Sequence, residues 1–240
     1  MILLGIETAT ELVGVAVADD SGPRAAVWAT GRRRHAESLA PAILHVCTQA
    51  GVELADLNGL VVDTGPGLFT GLRVGVATAK ALAQGLGLAV VGLSSLEVLA
   101  HAAYDAGADD EVVAVVDARR GEVFAGRYRP VDGTGRPVPV EPPGLFAPDD
   151  LADRLAGDGI RRLLVGDGAL RYADRWPADG TRLAGSSLAG PPPASLVTLG
   201  ARYLAAGGTA LDPVDVHPVY LRDADARINW VTRQAAKARP

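Results

Sequence analysis

The chain has 240 residues, 48% hydrophobic and 21% charged, and 23 basic against 28 acidic side chains leave a net charge of −5. That composition excludes a disordered segment and supplies no overall positive field for nucleic acid, while the length suffices for one large or two small cores. A single cysteine, Cys47, excludes an internal disulfide and fits a reducing compartment.

In chain order, residues 2–7 and 12–18 are apolar runs parted by Thr8-Ala9-Thr10-Glu11, which reads as strand, turn, strand, and 25–29 continues as a third strand. The opening Met-Ile-Leu-Leu-Gly-Ile-Glu lacks the basic start of a secretory signal. Arg32-Arg33-Arg34 is the one basic run, and solvated loop charge accounts for it better than a nucleic-acid contact. From Ala36 the spacing turns helical: Ala36, Leu39, Ala40, Ile43, Cys47 and Ala50 share a face, with Cys47 as packing and not as a nucleophile. Pro41 predicts a kink or a late start. A strand at 60–63 then leads through a glycine-rich turn into a second helix reaching Leu86.

That second helix carries two stripes. Leu72, Val76, Ala79, Leu82, Ala83 and Leu86 form one, which should face the chain's own sheet. Val74, Ala77, Ala81 and Gly85 form the other, whose small side chains let a partner helix approach closely. The sixteen residues between Lys80 and Glu97 are the most apolar stretch, short of the ~20 a membrane span needs, so a cytoplasmic protein is expected.

A second unit starts near Asp109. Strands are predicted at 112–117 and 122–128, a proline-rich loop over 130–148, a short helix at 149–155, a strand at 163–165 with a Gly166-Asp167-Gly168 turn, and helices at 169–176 and 194–206. The two units share a succession of strands, helix, strand, glycine turn and helix. They divide the chain into lobes at 1–108 and 109–212 and a tail at 213–240. Pattern alone gives an α/β fold.

Residues 65–75 read Gly-Pro-Gly-Leu-Phe-Thr-Gly-Leu-Arg-Val-Gly. Glycines in such a strand-to-helix turn allow positive φ or close approach, and no lysine of a phosphate-binding P-loop follows. The segment, with Gly65, Pro66, Gly67, Phe69, Thr70, Gly71, Arg73 and Gly75 in place, resembles the signature of the TsaB (YeaZ) family. The opening Ile2-Leu3-Leu4-Gly5-Ile6-Glu7-Thr8-Ala9-Thr10 is similar to that family's first strand and turn, and Pro218-Val219-Tyr220-Leu221-Arg222 to its closing motif. Leu68 and Glu7 depart from the pattern, which has a small polar residue and an aspartate there. The resemblance implies the two-lobed fold of actin, sugar kinases and heat-shock ATPases. It also implies a dimerising subunit of the bacterial machinery that makes threonylcarbamoyladenosine in tRNA.

In ATP-using members of that superfamily the first turn holds phosphate and metal with a carboxylate, a glycine and a hydroxyl. Here Thr8 replaces the glycine, and its Cβ obstructs a phosphate, so Glu7, Thr8, Thr10 and Asp117 are at most a vestigial nucleotide site. The metal-binding His-x-x-x-His of the catalytic sister subunit has no counterpart around 93–101, where only His101 is present; no metal site is expected. Ser95, His101 and Asp117 occur in a protease-like order without a Gly-x-Ser-x-Gly. Asp117 and Glu122 flank the arginine-rich turn at 118–121, which reads as a salt-bridged surface hairpin; the resemblance sets it beside the inter-lobe cleft.

The leading expectation is a non-catalytic scaffold that docks on the catalytic threonylcarbamoyltransferase (TsaD-like) through Leu39, Ile43 and Leu44 on the first helix and Val74, Ala77 and Ala81 on the second. A TsaE-like ATPase is the further partner, a second copy of the chain can take the same face, and tRNA is met only within the complex. The chain itself requires no cofactor, with ATP placed at an interface with the partner. The alternative is a stand-alone ATP-dependent kinase or hydrolase using Glu7, Thr8, Thr10 and Asp117.

Overall fold

A computed structural model describes residues 1–31, 35–130 and 135–222. Arg32-Arg33-Arg34 and the chain after Arg222, both singled out in the sequence, lie outside the described residues.

The first lobe is a five-stranded sheet in the order β3-β2-β1-β4-β5, built from β1 (Leu3–Glu7), β2 (Leu12–Asp19), β3 (Gly22–Thr30), β4 (Gly59–Gly65) and β5 (Val90–Ser94). β1, β2 and β3 form an antiparallel meander, whereas β4 and β5 run parallel to β1. Every residue of β1 and β4 is buried, as expected for central strands covered on both faces. The second lobe repeats the plan with β6 (Glu111–Arg119), β7 (Glu122–Arg129), β8 (Val138–Pro139), β9 (Gly144–Phe146), β10 (Arg162–Val165) and β11 (Thr181–Leu183), in the order β11-β10-β6-β7-β8 with β9 also on β7. The fold is therefore α/β and two-lobed.

Six helices cover these sheets: α1 (His35–Ala50), α2 (Phe69–Leu86), α3 (Ser95–Asp105), α4 (Pro148–Leu155), α5 (Asp167–Arg171) and α6 (Pro193–Ala205). Strand alternation decides which face each meets. Leu4 and Ile6 of β1 pack with Leu39, Ile43, Val46, Val76, Ala79 and Ala83 from α1 and α2, while Leu3 on the opposite face packs with Leu196, Val197 and Leu199 of α6. In the second sheet Val112, Ala114 and Val116 face Leu96, Leu99 and Ala103 of α3, and Val113 and Val115 face Leu151 and Leu155 of α4. The inner helices are thus exchanged: α3 of the first repeat lies on the second sheet and α6 of the second repeat on the first. The boundary at 108/109 falls in the turn between α3 and β6, yet the hydrophobic cores cross it.

Several element bounds differ from expectation. α1 runs unbroken through Pro41 and starts at His35, so the expected late start is absent. α2 begins at Phe69, inside the glycine-rich segment, with Leu68 still extended at its N-cap. The helix expected at 169–176 shrinks to α5, and the proline-rich loop contains the short strands β8 and β9. Residues 213–222 are no tail: Lys80 donates to the carbonyls of Val214 and Val216, Val219 N–H to Thr64 O at 2.7 Å, and Arg222 Nη1 to Ala118 O at 3.0 Å. The segment straps both lobes.

The exchange makes a sharp test of one contact. A Cβ at Gly200 of α6 would lie 2.5 Å from Val61 Cγ2 at the centre of the first sheet. Gly200→Ala should cost about 1–3 kcal/mol by overpacking, read as a lower urea midpoint, and the transition should stay single because the two cores share α3 and α6.

Candidate functional site

The turn after β1 and the turn after β4 lie side by side, and the glycines of residues 65–75 are explained there. Gly65 has φ +104°, and a Cβ at Gly67 would sit 2.1 Å from Ala9 O. That clearance lets Leu68 N–H donate to Ala9 O at 2.6 Å, so the loop is tied by its backbone where a small polar side chain is the family pattern. Thr8 Oγ1 donates to Gly71 O at 2.9 Å, and a Cβ at Gly75 would lie 2.1 Å from the same Oγ1. The threonine that replaces a phosphate-turn glycine is therefore seated in a groove made by two glycines of α2. The space is filled by the chain itself.

Glu7 shares this filled region. Its side chain is fully buried, Oε1 accepts from Ala9 N–H at 2.7 Å, and Oε2 is buried beside a second carboxyl. That neighbour is Asp63 at the end of β4, also fully buried, whose Oδ1 accepts from Gly65 N–H and Ser95 Oγ at 2.7 Å each. Burial first, and the Asp63 charge second, push the Glu7 carboxyl well above its ordinary range; burial also raises Asp63, while the proton donated by Glu7 lowers it. Glu7 is the protonated member and Asp63 the acceptor. The residues present do not fit a bound nucleotide phosphate or its metal.

Of the remaining residues of the vestigial nucleotide set, Thr10 adjoins this pair, its backbone N–H donating to the Glu7 carboxyl, and Asp117 stands apart. Thr10 is buried and its Oγ1 accepts from Leu12 N–H at 3.2 Å. Asp117 lies at the β6–β7 hairpin of the other lobe, where Oδ1 accepts from Arg119 N–H and Oδ2 from Arg119 Nη1, both at 2.9 Å. Arg119 Nη2 reaches across to Glu11 at 2.7 Å, so the salt-bridged hairpin of the sequence reading also spans the lobes. Ser95, His101 and Asp117 do not form a triad: Ser95 is bonded to Asp63, His101 is buried beside Asp105 at 3.3 Å, and Asp117 holds Arg119. Burial lowers the His101 pKa.

The outward face of the first lobe differs in part from expectation. Ala77 and Ala81 are exposed and Val74 is half-buried, as the second stripe requires. Leu39 and Ile43 are 1% and 3% exposed and belong to the core against β1 and β2, so their placement at a partner interface is corrected. They occupy the i, i+4 positions that face the sheet, whereas Leu44, one residue on, turns 100° away and is 58% exposed. Missed by that reading are Phe69, Val214, Val219 and Tyr220, all exposed apolar residues, of which the last three come from the strap. Tyr220 lies against Phe69 with ring centroids 5.3 Å apart, and Arg73 covers the Phe69 ring at 3.8 Å while its Nε donates to Tyr220 Oη at 3.2 Å. Only the closing Tyr-Leu-Arg motif hinted at this, since residues 147 apart in sequence meet here.

Comparison with known proteins sets this geometry in context. Residues 29–141 match the family model described as TsaD, tRNA N6-adenosine threonylcarbamoyltransferase. Over 129 residues the chain is 37% identical to the tRNA threonylcarbamoyladenosine biosynthesis protein TsaB of Escherichia coli, covering 54% of this chain and 55% of that one. Over 133 residues it is 33% identical to the protein of the same name from Bacillus subtilis, covering 55% and 57%. The matched stretch spans about half the length of these curated relatives. Among solved structures, YeaZ from Pseudomonas aeruginosa superposes with a TM-score of 0.79 at 28% identity, covering 92% of this chain and 99% of that one.

Two outcomes test the filled turn. Gly75→Ala should destabilise by about 1–3 kcal/mol, and Thr8→Ala in the same chain should recover part of that loss in a double-mutant cycle of chemical denaturation. A carboxyl whose folded pKa is raised contributes stability below its unfolded value and loses it as pH climbs through the folded one. Glu7→Gln keeps the neutral, donating form, so its melting temperature should gain on wild type as pH rises from about 5 to 9. The gap should widen by no more than about 1.4 kcal/mol per pH unit, the limit for one proton.

Proposed function

From its likeness to TsaB and YeaZ proteins we propose that the chain is a member of that family and a non-catalytic subunit in the synthesis of threonylcarbamoyladenosine on tRNA. In this reading it docks on a TsaD-like catalytic subunit through the outward side of α2, works with a TsaE-like ATPase, and meets tRNA within that assembly. The observation that carries the reading is the contrast between the two sides of α2. Its inner N-terminal turn packs on Thr8, where a Cβ at Gly75 would lie 2.1 Å from Thr8 Oγ1, which supports a chain that does not hold a nucleotide phosphate in this turn. Its outer side exposes Ala77, Ala81 and Gly85, and Leu44 on α1 and Val214 on the strap are exposed apolar residues of the neighbouring segments.

Small residues between two apolar ridges form a groove that a helix can enter closely, gaining dispersion contacts along its length. A homologous helix pair, from the catalytic subunit or a second copy, is the occupant of matching shape. The chain then contributes a rigid face, with any nucleotide requirement carried at the interface with its partners.

Ala77→Arg places a charged side chain in that groove. If a helix packs there, the buried unpaired charge should cost about 3 kcal/mol or more, a loss of over a hundredfold in affinity. The melting temperature of the free chain should change little, because Ala77 is exposed. Sedimentation and pull-down with the catalytic subunit read the first outcome and thermal unfolding the second; full retention of association refutes the face. In the source cell, depletion of the protein should remove threonylcarbamoyladenosine from tRNA by nucleoside mass spectrometry, and an unchanged level refutes the pathway.

A further inference from the structure

A cleft of about 580 Å³ lies between the N-terminal end of α2, the β6–β7 hairpin and the closing strap. Its walls bring together Phe69, Arg73, Arg119, Arg120, Tyr220 and Arg222. Four guanidinium groups and two half-exposed rings thus meet at one cavity, in a chain whose net charge is −5. We propose that this cleft binds single-stranded RNA, with a base on the Phe69–Tyr220 rings and backbone phosphate on the surrounding arginines. The proposal rests on the reading that the chain works on tRNA, and it names where on this chain the RNA lies.

The backbone of the hairpin is the first support. Arg119 and Arg120 both sit in the left-handed region, at φ 65° and 57°, where asparagine or glycine is adopted at lower cost. Two arginines kept at such positions are accounted for by their side chains and not by the turn. Arg119 is held by Asp117 and Glu11, and Arg222 by Glu122, which fixes the guanidinium planes while leaving each group further N–H donors. Arg73 differs: it stacks on Phe69 and bonds Tyr220 Oη, with no carboxylate partner among the described residues. Its charge is uncompensated beside the rings.

The combination selects the ligand class. Guanidinium groups bind phosphate through paired donors, and aromatic rings bind unstacked bases by their faces. Bases inside a duplex hide those faces, so the site favours a loop or single strand. The arginines arrive from three separate segments around the rings, an arrangement that suits successive phosphates along a strand better than one terminal phosphate group.

The test is fluorescence anisotropy of the purified full chain with a labelled RNA stem–loop bearing unpaired adenosines, a fully paired duplex of equal length, and ATP as competitor. The stem–loop should bind with an affinity that falls as salt rises, and the duplex about tenfold more weakly. Arg120→Gly removes a cation and relieves the left-handed backbone at once. It should weaken stem–loop binding about tenfold while the melting temperature holds or rises, and Arg120→Lys should retain most of the binding. Absence of stem–loop binding, equal affinity for duplex, full displacement by equimolar ATP, or an unaffected Arg120→Gly would each overturn the proposal. Pull-down of the catalytic subunit by Arg120→Gly separates the two readings: docking should persist when RNA binding is lost, and a wild-type chain that binds RNA without docking would instead count against the subunit reading.

Discussion

The contact between Thr8 and the glycine face of α2 sets the position of the surrounding first-lobe elements. Gly71 and Gly75 bring the first turns of α2 against the β1 turn until Thr8 Oγ1 reaches Gly71 O, and Gly67 clears the way for Leu68 N–H to bond Ala9 O. A Cβ at Gly67 or at Gly75 would collide with the β1 turn, at Ala9 O and Thr8 Oγ1 respectively. With α2 so placed, Leu72, Val76, Ala79 and Ala83 fall on the sheet and Ala77 and Ala81 fall outward. The outward groove follows from the inner contact, because the two are opposite sides of one rigid helix.

The buried Glu7–Asp63 pair lies under this contact and joins three segments: the β1 turn through Ala9 N–H, the β4 turn through Gly65 N–H, and the start of α3 through Ser95 Oγ. A buried charge needs such donors, and a shared proton removes the second charge, which burial would make costly. Because α3 packs mainly on the second sheet, the pair also connects the filled turn of one lobe to the core of the other. The strap closes the same circuit from outside, through Val219 on Thr64 and Arg222 on Ala118. The two lobes are thereby tied together at three places, counting the Arg119–Glu11 pair.

Much of this was legible in residue order. The continuous apolar run from Val112, the alternation of Glu122 to Tyr128, the glycine punctuation at 65–75 and 166–168, and the repeated succession of elements gave strands, turns and duplication, since they depend on local backbone preference and short spacing. The outward position of the second stripe of α2 was legible for the same reason, and Ala77 and Ala81 are exposed there. The first helix misled because Leu39, Ile43 and Leu44 are neighbours in sequence but not on the helix surface; assigning all three to one face ignored the 100° turn per residue. The strap was missed because its partners, Phe69, Arg73 and Lys80, are more than a hundred residues away, and nothing local marks a segment as bridging.

By itself, then, the sequence determined the α/β class, the twofold repeat, the family likeness and the replacement of a phosphate-turn glycine by Thr8, all of them properties of residue identity and short spacing. Tertiary structure alone decided that Thr8 is seated between Gly71 and Gly75, that Glu7 turns to Asp63, that α3 and α6 exchange sheets, and that Phe69, Arg73 and Tyr220 form one cluster beside the hairpin arginines. Each of these is a contact between distant segments, fixed by which surfaces exclude water together and which buried polar groups find a partner there. Such pairings leave no periodic trace along the chain.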